Sequence, residues 1–202
     1  MAFTYFFRDM QTLEMIQEHV LPALRTRRYI RIWDAGCAMG PEPYSLSIVF
    51  RENMGSMIFR NVRIHATDID ESGSFGDVIQ EGLYPEEQVK RIPGEILHRY
   101  FQEHQEKPGF FKIAEEIRKS VSYETHDLLS FEPVRKDFGL ILCKNVLLHF
   151  KEPQRIRVIR MFHEALQEGG FFVMEQTQKM PRELGHLWEP LVSNAQVFRK
   201  IS

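Results

Sequence analysis

The chain has 202 residues, of which 43% are hydrophobic and 27% charged, a composition typical of one folded domain rather than a disordered segment. Its formal net charge of −2 argues against a nucleic-acid partner held by charge. Two cysteines, no signal-peptide pattern and no apolar run of about 18 residues predict a cytoplasmic protein without direct membrane insertion.

The N-terminal segment predicts one amphipathic helix. Asp9 is a candidate N-cap, and apolar residues recur at helical spacing from Leu13 to Leu24. Pro22 is expected to bend or shorten the last turns. The eight residues before Asp9, MAFTYFFR, are rich in aromatic side chains and are expected to pack down on the domain.

The stretch from Ile30 to Phe50 is typical of a buried strand, a glycine-bearing turn and a helix, which we expect to reach about residue 54. Gly36 lies in this turn, where the backbone must approach a ligand closely, and Glu42 lies in the first helical turn. The turn lacks both G-x-G-x-x-G and G-K-[ST], which disfavours a pyrophosphate or triphosphate ligand. A nucleoside without phosphates fits better.

Later segments alternate between strand and helix patterns. We predict strands at 62–67, 121–124, 138–143 and 171–175, helices at 71–80 and 152–167, and a stop at Gly169-Gly170. Residues 196–201 predict a last strand, paired antiparallel at the sheet edge. Residues 82–121 lose this alternation and predict an inserted subdomain of short elements.

This alternation predicts an α/β fold, a mainly parallel sheet with helices on both faces. Ligands of such sheets bind beyond the carboxyl ends of the strands. The loop 34–41, Asp68, Asp127 and the pair Lys144-Asn145 all follow predicted strands and should therefore converge on one crevice. An acid at the position of Asp68 is suited to binding the hydroxyls of a ribose.

Seven ordered motifs then indicate a family. These are TYFFRD from Thr4, WDAGCAMGPEPYS from Trp33, ATDID from Ala66, GLY from Gly82, RYF from Arg99, DLL from Asp127 and CKNVLLHF from Cys143. Together they resemble the CheR family of chemotaxis-receptor methyltransferases, which transfer a methyl group from S-adenosylmethionine to glutamate side chains. The resemblance covers nearly all of the chain.

The resemblance implies a Rossmann-like class I methyltransferase domain formed by residues 1–81 and 122–202, with 82–121 as a small inserted β-subdomain. Its implied cofactor is S-adenosylmethionine, and its implied partner is the cytoplasmic part of a chemotaxis receptor. The implied cofactor-binding residues are Thr4, Arg8, Gly36, Glu42, Asp68, Asp127, Leu128, Lys144 and Asn145. Arg8 and His149 are the implied catalytic residues. Because the match begins at Thr4, we expect a catalytic domain without the family's N-terminal helical domain.

The chain departs from the family pattern at several of these positions. Pro41 replaces a Glu, Asp127 an Asn, Lys144 an Arg and His149 a Tyr, while Ala38-Met39 replaces Ser-Thr. Lys in place of Arg keeps the charge but loses the planar two-pronged donor. The acceptor end of the site is therefore expected to differ more than the cofactor end.

The chemistry needs few residues, because a carboxylate acceptor is already ionised at neutral pH and methyl transfer to it needs no general base. Arg8 is the candidate to hold that carboxylate, and no metal site is expected. Each residue also has a plain structural role open to it: ion pairing for Arg8, turn capping for Asp68 and Asp127, helix-dipole pairing for Glu42, packing for His149 and solvent exposure for Lys144. A methyltransferase with another acceptor and a non-catalytic cofactor-binding docking module remain alternatives.

Overall fold

The computed structural model describes residues 4–201, and strands make up its central layer. The strands are β1 (Ile30–Ala35), β2 (Val62–Asp68), β3 (Leu83–Pro85), β4 (Phe101–Glu103), β5 (Phe110–Ile113), β6 (Val121–Thr125), β7 (Phe138–Cys143), β8 (Leu166–Met174), β9 (Trp188–Pro190) and β10 (Val197–Lys200). Seven of them form one sheet in the order β6-β2-β1-β7-β8-β10-β9, and the other three form a small sheet in the order β3-β5-β4.

The large sheet is mainly parallel. Strands β6, β2, β1, β7 and β8 pair in parallel, and β10 pairs antiparallel with both β8 and β9. This confirms the predicted sheet and the antiparallel last strand. The prediction that the last strand lies at the edge is wrong, because β9 pairs with it through Trp188 and Lys200. A strand of three residues is too short to give a recognisable alternation.

The helices flank the sheet. They are α1 (Met10–Met15), α2 (Leu21–Leu24), α3 (Pro41–Phe59), α4 (Phe75–Glu81), α5 (Glu86–Val89), α6 (Gly94–Tyr100), α7 (Glu115–Arg118) and α8 (Glu152–Ala165). A π-helical turn, Ile16–Val20, joins α1 to α2, and 3₁₀ turns span Leu128–Ser130, Leu147–His149 and Arg182–Leu187. Within residues 4–201 no helix is long and apolar enough to cross a bilayer.

The predicted N-terminal helix is confirmed with a change of pitch inside it. Asp9 caps α1, and its carboxylate accepts a hydrogen bond from the backbone N–H of Thr12 at 3.1 Å. The wider π turn precedes Pro22, which has no N–H to donate to the preceding turn. Phe6 and Phe7 are buried, as expected for the aromatic segment, whereas Met1 to Phe3 lie outside the described residues.

The sheet is buried on both faces, and β1 shows how its sequence achieves this. Ile30 and Ile32 belong to one buried apolar cluster, whereas Trp33 and Ala35 belong to the cluster on the other face. Successive side chains of a strand point to opposite faces, so a continuous apolar run is what a doubly covered strand requires. Trp33 is fully buried, with its ring packed edge-on against Phe162 of α8.

Helix α3 begins directly after the turn that follows β1. Gly40 occupies its N-cap with φ of 103°, and Pro41 is the first helical residue, where its missing N–H costs nothing. The helix reaches Phe59, beyond the predicted end near residue 54. Gly55 has non-helical angles (φ 71°, ψ 163°), so the regular part ends close to the predicted position.

The segment 82–121 forms the small antiparallel sheet with α5, α6 and α7, as its short apolar runs predicted. Its buried residues share one apolar cluster with the large sheet. The ring of Phe6 packs edge-on against Tyr84 at 4.9 Å and against Phe101 at 5.1 Å. The N-terminal segment therefore connects the small sheet to the rest of the core; the division into domains stays a prediction.

The prediction for residues 152–175 is wrong at the boundary between helix and strand. Helix α8 ends at Ala165, and β8 begins at Leu166, so Gly169 and Gly170 lie inside the strand and do not stop the helix. The pairing of β7 with β8 shifts register here, and Gly169 has φ of 63°. The glycines therefore mark an irregularity in the strand, which sequence alone cannot distinguish from a helix end.

Candidate functional site

A cavity of about 870 Å³ opens at the carboxyl ends of β1, β2, β6 and β7. Its lining includes all ten residues that the sequence singled out: Thr4, Arg8, Gly36, Glu42, Asp68, Asp127, Leu128, Lys144, Asn145 and His149. The predicted convergence on one crevice is confirmed. The individual roles of these residues stay predictions.

The turn after β1 is held against the end of β2. The backbone N–H groups of Gly36 and Cys37 both donate to the carbonyl of Thr67, at 2.7 and 3.0 Å. Gly36 has φ of 100°, and a Cβ placed on it would lie 2.1 Å from Cγ2 of Val146. Only glycine satisfies both the conformation and this close approach, so the turn presents its backbone to the cavity.

Asp68 binds the same turn from the neighbouring strand. Its Oδ2 accepts a hydrogen bond from the backbone N–H of Ala38 at 2.9 Å, and its Oδ1 accepts one from Asp70 at 3.2 Å. The capping role left open by the sequence is therefore present. A carboxylate offers about four lone-pair sites, so two remain for ligand hydroxyls. Capping and ligand binding are compatible at this residue.

Asp127 has a similar arrangement at the end of β6. Its Oδ1 accepts a hydrogen bond from the backbone N–H of Leu129 at 2.8 Å and so caps the 3₁₀ turn Leu128–Ser130. The backbone N–H of His126 donates to the carbonyl of Asp68 at 2.8 Å, which joins the two strand ends. Asp127 is exposed at the cavity and Leu128 is buried.

Two carboxyl groups meet at the inner end of the cavity. Asp34 is fully buried at the end of β1, and Glu42 reaches it from the first turn of α3. Burial raises the pKa of Asp34 well above its usual value, and the neighbouring charge of Glu42 raises it further. Burial also raises the pKa of Glu42, although Lys144 and Arg8 oppose this.

The alternative that Lys144 reaches solvent is wrong. Its side chain is only 6% exposed, and its Nζ lies 2.6 Å from Oδ2 of Asp9. Burial alone would raise the pKa of Asp9, but the hydrogen bonds and charge of Lys144, with the hydrogen bonds from Thr12, lower it below the usual value. This ion pair joins the start of α1 to the end of β7, two segments separated by 135 positions in sequence.

Arg8 and His149 lie at the outer part of the cavity and both are exposed. The guanidinium of Arg8 lies 5.9 Å from the centroid of the Tyr5 ring. His149 ends the 3₁₀ turn Leu147–His149, which follows Asn145 with its positive φ of 58°. Because His149 is exposed, it is not a buried packing side chain, and its role stays a prediction.

Two buried acids that support the site were not predicted as site residues from the sequence. Asp34 appeared only as part of the turn motif, and Glu175, 3% exposed at the end of β8, was placed only in a strand. Burial raises the pKa of Glu175, and the nearby positive charge of Lys144 opposes this. An acid at the carboxyl end of an apolar strand is the signal that both residues share with Asp68.

Comparison with known proteins decides the family. The model of the family described as "CheR methyltransferase, SAM binding domain" matches residues 2–194. The chain belongs to the CheR family. S-adenosylmethionine is thus the cofactor of this CheR domain, and its fold is that of the Rossmann-like methyltransferases.

Individual relatives agree with the CheR assignment. A chemotaxis protein methyltransferase of Borreliella burgdorferi is 30% identical over 183 residues, which cover 87% of this chain and 63% of that protein. Chemotaxis protein methyltransferase 2 of Vibrio cholerae is 31% identical over 184 residues, covering 89% and 62%. A Listeria monocytogenes chemotaxis protein methyltransferase is 33% identical over 167 residues, covering 82% and 60%. The chain spans less than two thirds of the length of these relatives.

The CheR cavity fits S-adenosylmethionine on its own chemistry. A volume of about 870 Å³ lies within the range of small-molecule sites. Acidic side chains at Asp68 and Glu42 suit ribose hydroxyls and an ammonium group. Among the described residues, Arg8 and Lys144 are the cations that line the cavity, and Lys144 is already paired with Asp9. This lining suits a ligand without phosphates.

Proposed function

We propose that this chain is the catalytic domain of an S-adenosylmethionine-dependent methyltransferase that esterifies glutamate side chains of a chemotaxis receptor or a similar protein. One observation supports this most strongly. The chain belongs to the CheR family, and every site residue that its motifs implicated lines the same cavity. The relatives named as chemotaxis methyltransferases point to the same class of acceptor.

The inner residues would bind and orient the cofactor. Asp68 would accept hydrogen bonds from the ribose hydroxyls while it holds the turn at Ala38. Glu42, beside the buried Lys144, would accept from the ammonium group of the methionine part. Gly36 would let the turn backbone approach the ligand, and Asp127 with Leu128 would border the base. Thr4 and Asn145 would complete the wall of this binding site.

The cofactor supplies an electrophilic methyl group on a cationic sulfur. A carboxylate oxygen of the acceptor would form a bond to that methyl carbon while the carbon–sulfur bond breaks, leaving a methyl ester and S-adenosylhomocysteine. No proton moves, so the chain needs no general base. Its contribution would be alignment of the two reactants and an electrostatic environment suited to a carboxylate beside a sulfonium.

Arg8 and His149 would position the acceptor. Arg8 is exposed at the cavity, and a guanidinium can hold a carboxylate by two hydrogen bonds. His149 follows Leu148, an apolar side chain that is 42% exposed at the cavity rim. We infer that these residues hold the glutamate side chain and contact the apolar surface beside it. A receptor partner further implies that the chain acts in the cytoplasm, where the buried thiols Cys37 and Cys143 stay reduced.

Methyl transfer from labelled S-adenosylmethionine tests the proposal. The purified chain would be incubated with the cytoplasmic fragment of a chemotaxis receptor, and with the same fragment in which the glutamates are replaced by glutamine. We expect label only in the glutamate form, released as methanol in base because a methyl ester hydrolyses. An R8A variant should transfer much less label while its affinity for S-adenosylhomocysteine changes little.

Other outcomes would indicate the alternatives. Label on a small-molecule carboxylate or hydroxyl, but not on the receptor, would mean that His149 in place of the family's Tyr accompanies a changed acceptor. Cofactor binding without transfer to any of these acceptors would indicate a docking module that reports cofactor occupancy. Absence of cofactor binding would contradict the assignment of the cavity itself.

A further inference from the structure

The two carboxyl groups at the inner end of the cavity pose a problem of hydrogen bonding. Asp34 is fully buried, and no donor among the described residues reaches either of its carboxyl oxygens. The group in hydrogen-bonding position is the carboxyl of Glu42, which is itself an acceptor when ionised. Two ionised carboxylates in this contact would repel each other, and Asp34 has no access to water that would screen its charge.

A single proton resolves the conflict. If Asp34 carries it, its O–H donates to Glu42, and the buried oxygens of Asp34 are no longer without a partner. Glu42 then keeps an ionised carboxylate that faces the cavity. The mixed state also avoids the full cost of burying two charges.

The charges around the pair favour this division of roles. Asp34 faces the thiol of Cys37 and two carboxylates, Glu42 and Asp68, with Lys144 as the cation that opposes them. Glu42 faces Lys144 and Arg8, with Asp9 opposing them. More positive charge thus faces Glu42 than Asp34, so the proton is retained on Asp34 and the negative charge on Glu42.

We propose that Asp34 is a positioning residue, a carboxylic acid that stays protonated at neutral pH and donates its hydrogen bond to Glu42, thereby orienting the Glu42 carboxylate toward the cofactor. Asp34 itself does not line the cavity. The inference rests on the proposed contact of Glu42 with the cofactor, although the protonation of Asp34 can be tested without any ligand.

Infrared difference spectroscopy at neutral pH measures that protonation directly. Subtraction of the D34N spectrum from that of the unmodified chain should leave the C=O stretch of one carboxylic acid. A matched control is D70N, because Asp70 is also buried but accepts hydrogen bonds from Ser72 and from the backbone N–H of Phe75, which hold its pKa below the usual value. The D70N difference should contain no such band. The assignment would be overturned if the difference between the unmodified chain and D34N contained no such band. It would also be overturned if the spectrum of D34N kept the band and that of E42Q lost it.

Calorimetric titration with S-adenosylhomocysteine tests the effect on binding. D34A should lower the affinity by about tenfold, the scale for losing a hydrogen bond to a charged group, and D34N, which supplies an N–H donor, should restore it to within about threefold. The affinity of the unmodified chain should fall as the pH rises through the raised pKa of Asp34, whereas that of D34N should not.

The outcomes distinguish the proposed protonation of Asp34 from the proposed contact of Glu42 with the cofactor. If D34N binds as weakly as D34A, Asp34 acts as a carboxylate and the proposal is wrong. If the infrared band is present but E42Q binds S-adenosylhomocysteine normally, Asp34 is protonated but Glu42 is not a cofactor contact, so the proposed role of Glu42 fails instead. If D34A does not fold, the infrared result and the pH profile of D34N still decide.

Discussion

Replacement of Asp68 by alanine removes two kinds of interaction, and the structure allows them to be distinguished. The carboxylate accepts from the backbone N–H groups of Ala38 and Asp70, and it has lone pairs left for ribose hydroxyls. Each hydrogen bond to a charged group contributes about 1.5–3 kcal/mol. We expect D68A to weaken S-adenosylhomocysteine binding by about 1–3 kcal/mol, or roughly 5- to 150-fold.

A thermodynamic cycle separates the direct contact from the effect on the turn. Calorimetry would compare S-adenosylhomocysteine with its 2′-deoxy and 3′-deoxy analogues, each titrated into the unmodified chain and into D68A. A direct contact predicts that D68A discriminates less between the hydroxylated and deoxy ligands. D70A is the matched control, since Asp70 caps the start of α4 nearby and does not line the cavity. Equal losses for all three ligands would mean that Asp68 acts only through the turn at Ala38, and the ribose contact would be refuted.

The remaining predictions concern packing, charge and turnover. G36A should destabilise the chain by about 1–3 kcal/mol in urea unfolding, because the new Cβ meets Val146 at 2.1 Å, and V146A should recover part of the loss; full stability of G36A alone would contradict this geometry. K144M should cost about 1–2 kcal/mol, less than a fully buried pair because the Asp9 side chain is 27% exposed. Since the folded pKa of Asp9 is lowered, the pair stabilises the chain above the usual Asp pKa of 3.8, and this stability is lost as the pH falls through the folded value. Unfolding of K144M should show less of that acid dependence, because only the hydrogen bonds from Thr12 remain, and an identical acid profile would exclude the pair as its source. R8A should lower the rate of methyl transfer at least about tenfold, with R8K recovering part of it; equal losses of rate and cofactor affinity would assign Arg8 to the cofactor site instead.

The residues that line the site could be predicted from the sequence, but the contacts between them could not. Asp68, Asp127 and Lys144 follow apolar strands, and the carboxyl ends of parallel strands meet at one edge, so their convergence follows from strand order alone. The direction in which a side chain points within the site does not follow from strand order. Whether Lys144 points to solvent or to Asp9 depends on where α1 lies, and that contact joins residues far apart in the chain. The same limit applies to Asp34, because its contact with Glu42 depends on how α3 is placed after the turn that follows β1.

The substitution of Lys for the family's Arg at position 144 has a physical rationale in this arrangement. The side chain is only 6% exposed, and its ammonium lies 2.6 Å from a single oxygen of Asp9. A compact point charge suits this contact with one oxygen, whereas a guanidinium would need partners for five N–H donors in the same space.

Lys144 also provides positive charge beside Glu42, with Asp34, Asp68 and Asp9 close by. Lys144 and Arg8 together cannot neutralise these four neighbouring acids. The carboxyl with the deepest burial and no donor, Asp34, is therefore the one expected to hold a proton, and the Lys144–Asp9 pair and the Asp34–Glu42 pair form one connected charge system behind the cofactor cavity.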